Sequence, residues 1–223
     1  MSENRRVVVL AGGEIQDHQE MRSRIDDFAP DAIVCADGGA RHARAMDLVP
    51  SLIVGDMDSL APDLLARFAD QGVEIRRVPV EKDETDTELA FAAALEIHPA
   101  EILVTGALGY RLDHTLANLS LLLKGEKHHI SVTLADEWCE VFLATGMCTI
   151  TGRIGQTVSL LPFFGEAKGV SLSGFQYSLD GATLSMEAPY GISNRLVSEK
   201  GTIIIGSGRL VVIRFFGEDL FPG

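Results

Sequence analysis

A chain of 223 residues with 19 Lys and Arg against 32 Asp and Glu carries a formal charge of −13. That balance excludes nucleic acid as the main partner, because phosphate backbones are gripped by clustered Lys and Arg, while a small anionic substrate stays open, since acids that bind metal invert the local field. The length suffices to bury the core of one large domain or two medium ones.

Arg5-Arg6 is followed by only a short apolar run, with no leader-like segment and no stretch long enough to span a membrane. The expected setting is cytoplasmic, with no membrane partner. Cys35, Cys139 and Cys148 are scattered without CxxC spacing and read as small core residues of a reduced protein. Val7–Leu10, Ala32–Ala36, Leu52–Val54, Val73–Val78, Ile102–Thr105 and Ile130–Leu134 are short runs of Val, Ile and Leu, the pattern of strands buried on both faces. Helical segments fit between them. Pro62–Ala69 begins with proline at an early turn. Asp86–Ile97 aligns Leu89, Ala93 and Ile97 and stops before Pro99, and Asp113–Leu123 aligns Leu116, Leu119 and Leu123. The alternation predicts βαβ units and a parallel sheet.

After about Ala135 the pattern changes. Val141–Leu143, Thr157–Leu161, Val170–Leu172, Leu196–Val197, Thr202–Ile205 and Leu210–Phe215 are short β-branched runs separated by glycine turns, with no amphipathic helix between them. This predicts an all-β sandwich or barrel. The fold class is therefore α/β followed by all-β, with residues 1–135 as a nucleotide-binding α/β domain and 136–223 as a β-sandwich-like domain.

Three acidic motifs follow the strand-like runs: Gly55-Asp56-Met57-Asp58-Ser59, Glu81-Lys82-Asp83-Glu84-Thr85-Asp86-Thr87 and Gly109-Tyr110-Arg111-Leu112-Asp113. Residues just past strand ends share one rim of a parallel sheet, where open α/β folds bind ligands. Carboxylates converging there repel one another unless a divalent cation joins them, which points to Mg²⁺ and phosphate. Asp56 and Asp58 suit one Mg²⁺; alternatively Asp58 or Ser59 caps the helix near Pro62. Thr85, Asp86 and Thr87 stand at a helix start, where N–H groups favour phosphate, though a solvated charge run with Thr85 or Asp86 as N-cap reads equally well. Arg111 offers bidentate donors to phosphate, and His114 is a general base or a helix-start histidine bonded to backbone. Gly12-Gly13 and Asp37-Gly38-Gly39 also follow strands, yet no GxGxxG fingerprint or P-loop is present. In the second half, Tyr190-Gly191-Ile192-Ser193-Asn194-Arg195 is a polar stretch between β runs, and Phe175 and Tyr177 read as core or as rings that stack on an aromatic.

Taken in order, Ala36-Asp37-Gly38-Gly39-Ala40, Gly55-Asp56-Met57-Asp58-Ser59, Lys82-Asp83-Glu84-Thr85-Asp86, Gly106 to Asp113 and Gly191-Ile192-Ser193-Asn194 resemble the thiamine pyrophosphokinase family, in its bacterial form. The resemblance implies thiamine + ATP → thiamine diphosphate + AMP with Mg²⁺. It also implies a homodimer whose thiamine site lies between the α/β domain of one chain and the β domain of the other. By matching position, Asp56, Asp58, Asp83, Asp86 and Asp113 form the acidic catalytic set, with Asp56, Asp58, Asp83 and Asp86 on the metal. Arg111, Lys82 and Thr85 face the triphosphate, and Asp37, Gly38 and Gly39 line the nucleotide site. Ser193 and Asn194 contact thiamine, and Tyr177 falls where the family places a stacking aromatic. The implied chemistry is displacement at the β-phosphorus, with Asp86 or Asp113 at the attacking hydroxyl. Rival expectations are a pyrophosphokinase acting on a pterin, a Mg²⁺-dependent phosphohydrolase, and a non-catalytic sensor of nucleotide or thiamine diphosphate.

Overall fold

The computed structural model describes residues 4–79, 81 and 83–217. It divides into two compact units, Met1–Glu137 and Trp138–Gly223.

In the first unit, β1 (Arg6–Leu10), β2 (Ala32–Ala36), β3 (Leu52–Gly55), β4 (Glu74–Arg77), β5 (Glu101–Thr105) and β6 (Ser131–Ala135) form a parallel sheet in the order β6-β5-β1-β2-β3-β4. The connections carry α1 (His18–Phe28), a 3₁₀ turn over Asp37–Gly39 with α2 (Ala40–Ala45), α3 (Pro62–Asp70), α4 (Asp86–Leu95), and α5 (Leu112–Asn118) with α6 (Ser120–Lys127). Val8, Leu10, Ile33, Cys35 and Ile53 share a buried cluster with Met21 and Ile25 of α1, Ala40 and Ala43 of α2 and Phe68 of α3. Buried Ala90, Phe91, Ala93 and Ala94 belong to α4, which packs on β1, β2 and β3 outside that cluster. Helices thus cover both faces, which is why these strands are apolar without alternation.

The expected β4 is shorter and its side chains less buried than those of its neighbours, because it is the edge of the sheet. The single helix expected over Asp113–Leu123 is two, parted at Leu119; nothing in the structure explains the break. Helix α1 carries too thin a stripe for its periodicity to be read, only Met21 and Ile25 being buried. Its start is nevertheless well made, with the Asp17 side chain accepting from the N–H groups of Gln19 and Glu20.

The second unit is a pair of antiparallel sheets. One has the order β12 (Asn194–Arg195), β9 (Thr157–Leu161), β14 (Leu210–Phe215), β7 (Cys139–Ala144); the other β11 (Leu179–Leu184), β10 (Ala167–Ser173), β13 (Lys200–Ile204), β8 (Met147–Thr151). Val158, Leu160, Leu210 and Val212 of the first pack with Ile150, Val170, Leu172, Leu184 and Ile203 of the second in one core, the two-layer arrangement of a sandwich. Strands β8 and β11 were not expected, since both present mostly exposed or half-buried side chains. The strand expected at Leu196–Val197 is a single bridge between Leu196 and Phe175.

Candidate active site

The strand order places the topological switch at β1. The chain runs outward through β2, β3 and β4 and returns on the other side of β1 as β5, so ligands are expected beyond the carboxyl ends of these strands. Their exits stack closely by omitting side chains. A Cβ on Gly39 would overlap the Leu10 carbonyl oxygen, and one on Gly106 (φ +65°) would overlap that of Ala11. The rim encloses a cleft of about 410 Å³ lined by residues 12–14, Gly38, Arg41, Ser59, Thr85-Asp86-Thr87 and residues 106–111, with His114, Thr115 and Asn118 from α5.

Beside the cleft, Asp37, Asp56 and Asp58 each offer a carboxylate oxygen, all within 4.8 Å of one another. Pairing of β2 with β3 sets Ala36 opposite Val54, so the next residues, Asp37 and Gly55-Asp56, leave the sheet together. Met57 adopts a left-handed conformation (φ +67°) while its side chain stays in the core. The Asp58 N–H closes a tight turn onto Asp56 Oδ1 at 3.1 Å. Backbone strain of this kind, on the order of 1–3 kcal/mol, persists where the surroundings over-determine it. Asp37 is fully buried. Its Oδ2 accepts from the Ser59 N–H at 3.0 Å, while Oδ1 is buried with no hydrogen-bond partner among the described residues. Burial pushes this carboxyl above its ordinary range, the bonds from Ser59 oppose the shift, and the charges of Asp86 and Asp56 add to it. A buried carboxylate grouped with two other acids fits a hard divalent cation.

The remaining expected residues fall in several places. Asp86 lines the cleft, and Asp83 is exposed; neither belongs to the group of three. Lys82 lies outside the described residues. Thr85 is the N-cap of α4 in a full capping box: Glu88 N–H donates to Thr85 Oγ1 at 3.2 Å, and Thr85 N–H donates to Glu88 Oε2 at 3.1 Å. Gly38 lines the cleft, whereas Gly39 is buried against Leu10. Arg111 lines the cleft and donates to Asp113 from Nε at 2.9 Å and Nη2 at 2.6 Å. That guanidinium holds the Asp113 carboxyl well below the usual range. His114 is an exposed residue of α5 on the cleft wall. Ser59 does not cap α3, whose N-cap is Ala61 with no side-chain bond; it serves Asp37 and Asp58.

In the second unit, Asn194 is buried with its amide spent on main chain. Its Oδ1 accepts from Tyr177 N–H at 3.0 Å and Arg195 N–H at 2.9 Å, and its Nδ2 donates to the Tyr177 carbonyl at 2.8 Å. Tyr177 is 61% exposed. Ser193 takes a left-handed conformation and its N–H donates to Ser159 Oγ at 3.0 Å.

The residues that brace the cleft lie outside the roles expected from the sequence. Asn118 Nδ2 donates to the Ala107 carbonyl at 2.7 Å, and Thr115 Oγ1 meets both the N–H and the carbonyl of Gly109 at 3.2 and 3.3 Å. Arg41 Nη2 donates to the Gly12 and Gly13 carbonyls at 2.5 and 3.2 Å. The helical spacing of Thr115 and Asn118 was a readable signal; α2, at six residues, gave none.

Residues 29–134 match the family model described as the thiamin pyrophosphokinase catalytic domain, and residues 147–210 match that of the thiamin pyrophosphokinase vitamin B1 binding domain. A thiamine pyrophosphokinase of Bacillus subtilis is 31% identical over 169 residues, covering 75% of this chain and 79% of the relative. Thiamine pyrophosphokinase 1 of Oryza sativa is 28% identical over 200 residues, covering 78% and 74%. The crystal structure of thiamine pyrophosphokinase from Bacillus subtilis superposes with a TM-score of 0.84 at 26% identity, over 96% of this chain and all of that one. A parallel sheet with acids at its switch point, an antiparallel sandwich behind it in sequence, and these likenesses in both parts agree: the chain belongs to the thiamin pyrophosphokinase family and is an enzyme.

Proposed function

We propose that the cleft in the first unit binds the triphosphate of ATP and that Asp37, Asp56 and Asp58 hold the metal that accompanies it. The enzyme is a thiamine diphosphokinase. It transfers the pyrophosphoryl group of ATP to the hydroxyl of thiamine, giving thiamine diphosphate and AMP. The observation that carries the site assignment is the grouping of buried Asp37, one of whose carboxylate oxygens lies within 4.8 Å of oxygens of Asp56 and Asp58, at the edge of a cleft walled by strand-end glycines.

A hard cation such as Mg²⁺ suits this all-oxygen donor set, in which one or two of the three carboxylates would bind it directly beside phosphate oxygens and water; it would neutralise charge on the triphosphate. Arg111 lines the cleft with a planar fork matched to phosphate. Its partner Asp113 is exposed, so the pair is a surface one of small intrinsic strength and can yield to a phosphate. During transfer the thiamine hydroxyl oxygen forms a bond to the β-phosphorus, the bond from that phosphorus to the bridging oxygen of the α-phosphate breaks, and the hydroxyl proton must leave. Asp86, on the cleft wall at the start of α4, is the residue we assign to orient the hydroxyl and accept its proton. Asp83 and Lys82 belong by motif to the same triphosphate end.

Tyr177, Ser193 and Asn194 are assigned to the thiamine end, with the exposed Tyr177 ring as the stacking surface. The working form is a homodimer.

The test is AMP formation followed by HPLC together with thermal unfolding in the presence and absence of Mg²⁺. Asp37→Asn and Asp58→Asn are expected to lower turnover on the order of 10²–10³-fold, the scale of losing one charge-stabilising group, and to abolish the rise in Tm that Mg²⁺ gives the wild type. Wild-type-like AMP formation by folded Asp58→Asn would remove the metal assignment.

A further inference from the structure

One buried titratable pair on the far side of the cleft wall has no part in the chemistry above. His42 of α2 is 5% exposed, and its Nε2 lies 2.6 Å from the Gly13 carbonyl. Its Nδ1 lies 2.9 Å from Nε2 of the half-buried His18 on α1. A carbonyl only accepts, so His42 Nε2 carries the hydrogen. In a neutral ring the other nitrogen is then an acceptor, and His18 Nε2 donates to it. Burial pushes the His42 imidazole down; the Gly13 carbonyl opposes, Arg41 and His18 push further down, and Glu137 opposes, so the ring is neutral at neutral pH.

The residue so gripped is part of the cleft. Gly12 and Gly13 line it. Gly13 donates its own N–H to the Gly106 carbonyl at 2.8 Å on the opposite side of the switch point. Its carbonyl is taken by His42 from behind, and Arg41 Nη2 takes the Gly12 carbonyl at 2.5 Å. A two-glycine turn has the widest conformational freedom of any dipeptide, so its position is set by these bonds rather than by its own torsions.

We propose that His42, fixed in its Nε2–H tautomer by His18, is a positioning residue for the nucleotide: it sets the Gly12-Gly13 wall of the cleft and thereby the affinity for ATP. This rests on the cleft being the ATP site. No proton moves through the pair during catalysis; its work is to keep one carbonyl turned away from an incoming anion.

The experiment is steady-state kinetics on His42→Ala and His42→Gln, with Arg111→Ala as a marker of the cleft. Loss of one buried hydrogen bond predicts a rise in the KM for ATP of about tenfold in His42→Ala, with the KM for thiamine and kcat close to wild type. His42→Gln places an amide N–H near the lost Nε2–H and is expected to restore most of the difference. A KM for ATP unchanged in His42→Ala, or KM values for ATP and thiamine rising together, overturns the inference. If Arg111→Ala also leaves the KM for ATP unchanged, the ATP-site reading itself has failed. Should His42→Ala not fold, the wild-type enzyme supplies the test. Two-bond ¹H–¹⁵N correlation spectra are expected to show His42 in the Nε2–H tautomer, and His18→Phe to raise the KM for ATP while leaving that for thiamine close to wild type. An Nδ1–H tautomer, or no effect of His18→Phe, overturns the inference.

Discussion

Asn194 turns its amide inward. Three main-chain groups occupy it, so this side chain governs where Tyr177 stands. Asn194→Ala takes this partner from the Tyr177 and Arg195 N–H groups and the Tyr177 carbonyl, all part-buried, and is expected to lower the unfolding free energy by about 1–3 kcal/mol. It should also raise the KM for thiamine while sparing that for ATP. Urea denaturation and the two KM values check this; equal disturbance of both substrates would show a general loss of structure instead. The motif containing Asn194 is visible in the chain, but the direction of its side chain is not, because a spacing of residues does not encode burial in a β bridge. Asp37 teaches the same point. As an acid after a strand it was legible as a nucleotide-site residue. Its place beside Asp56 depends on the register of β2 against β3, a pairing between segments distant in sequence.

Helices frame the cleft, and their ends decide how firmly. Helix α4 begins with the reciprocal Thr85–Glu88 box, and Glu88 is further tied to Lys124 of α6 at 2.6 Å. The bond from Lys124 is the main reason the Glu88 carboxyl lies below its ordinary 4.5. Thr85→Ala is expected to cost about 1 kcal/mol of stability, measured by urea denaturation, and to disorder the start of the helix that carries Asp86. Glu88 has its folded pKa below its unfolded one, so its contribution is complete above pH 4.5 and is lost as pH falls through the depressed value. The difference in urea midpoint between wild type and Glu88→Gln should accordingly shrink as the solution is acidified below about 4.5. Helix α3 was readable from the proline at its first turn, and α4 from its apolar run and the Thr85-Asp86 start. Short or thinly striped ones, α2 and α1, were not, because tertiary packing rather than local pattern stabilises them; Arg41 and His42 went unread with α2.

At the scale of the molecule, the change from doubly buried strands to alternating β-branched ones marked two architectures, since a parallel sheet needs crossover helices and a sandwich needs none. The proposed homodimer makes a prediction of its own. If each thiamine pocket draws its α/β part from one chain and its β part from the other, then Asp58→Asn and Tyr177→Ala chains, each nearly inactive alone, should regain part of the wild-type turnover when unfolded and refolded together. No recovery, with mixed dimers verified by native mass spectrometry, would place both parts of the site in one chain.

The glycine-built rim has a consequence for how the enzyme can change. Its cleft is walled on several sides by main chain at Gly12, Gly13, Gly38, Gly106 and Gly109, and Gly13 and Gly106 have no room for a Cβ. An inhibitor that reads those amides and carbonyls would meet a surface that side-chain replacement cannot withdraw, since any residue larger than glycine at those two positions collides with the neighbouring strand exit before it reaches the drug. Resistance would have to arise in the braces behind the wall, Arg41, His42, Thr115 and Asn118, and would carry a loss of affinity for the natural nucleotide with it.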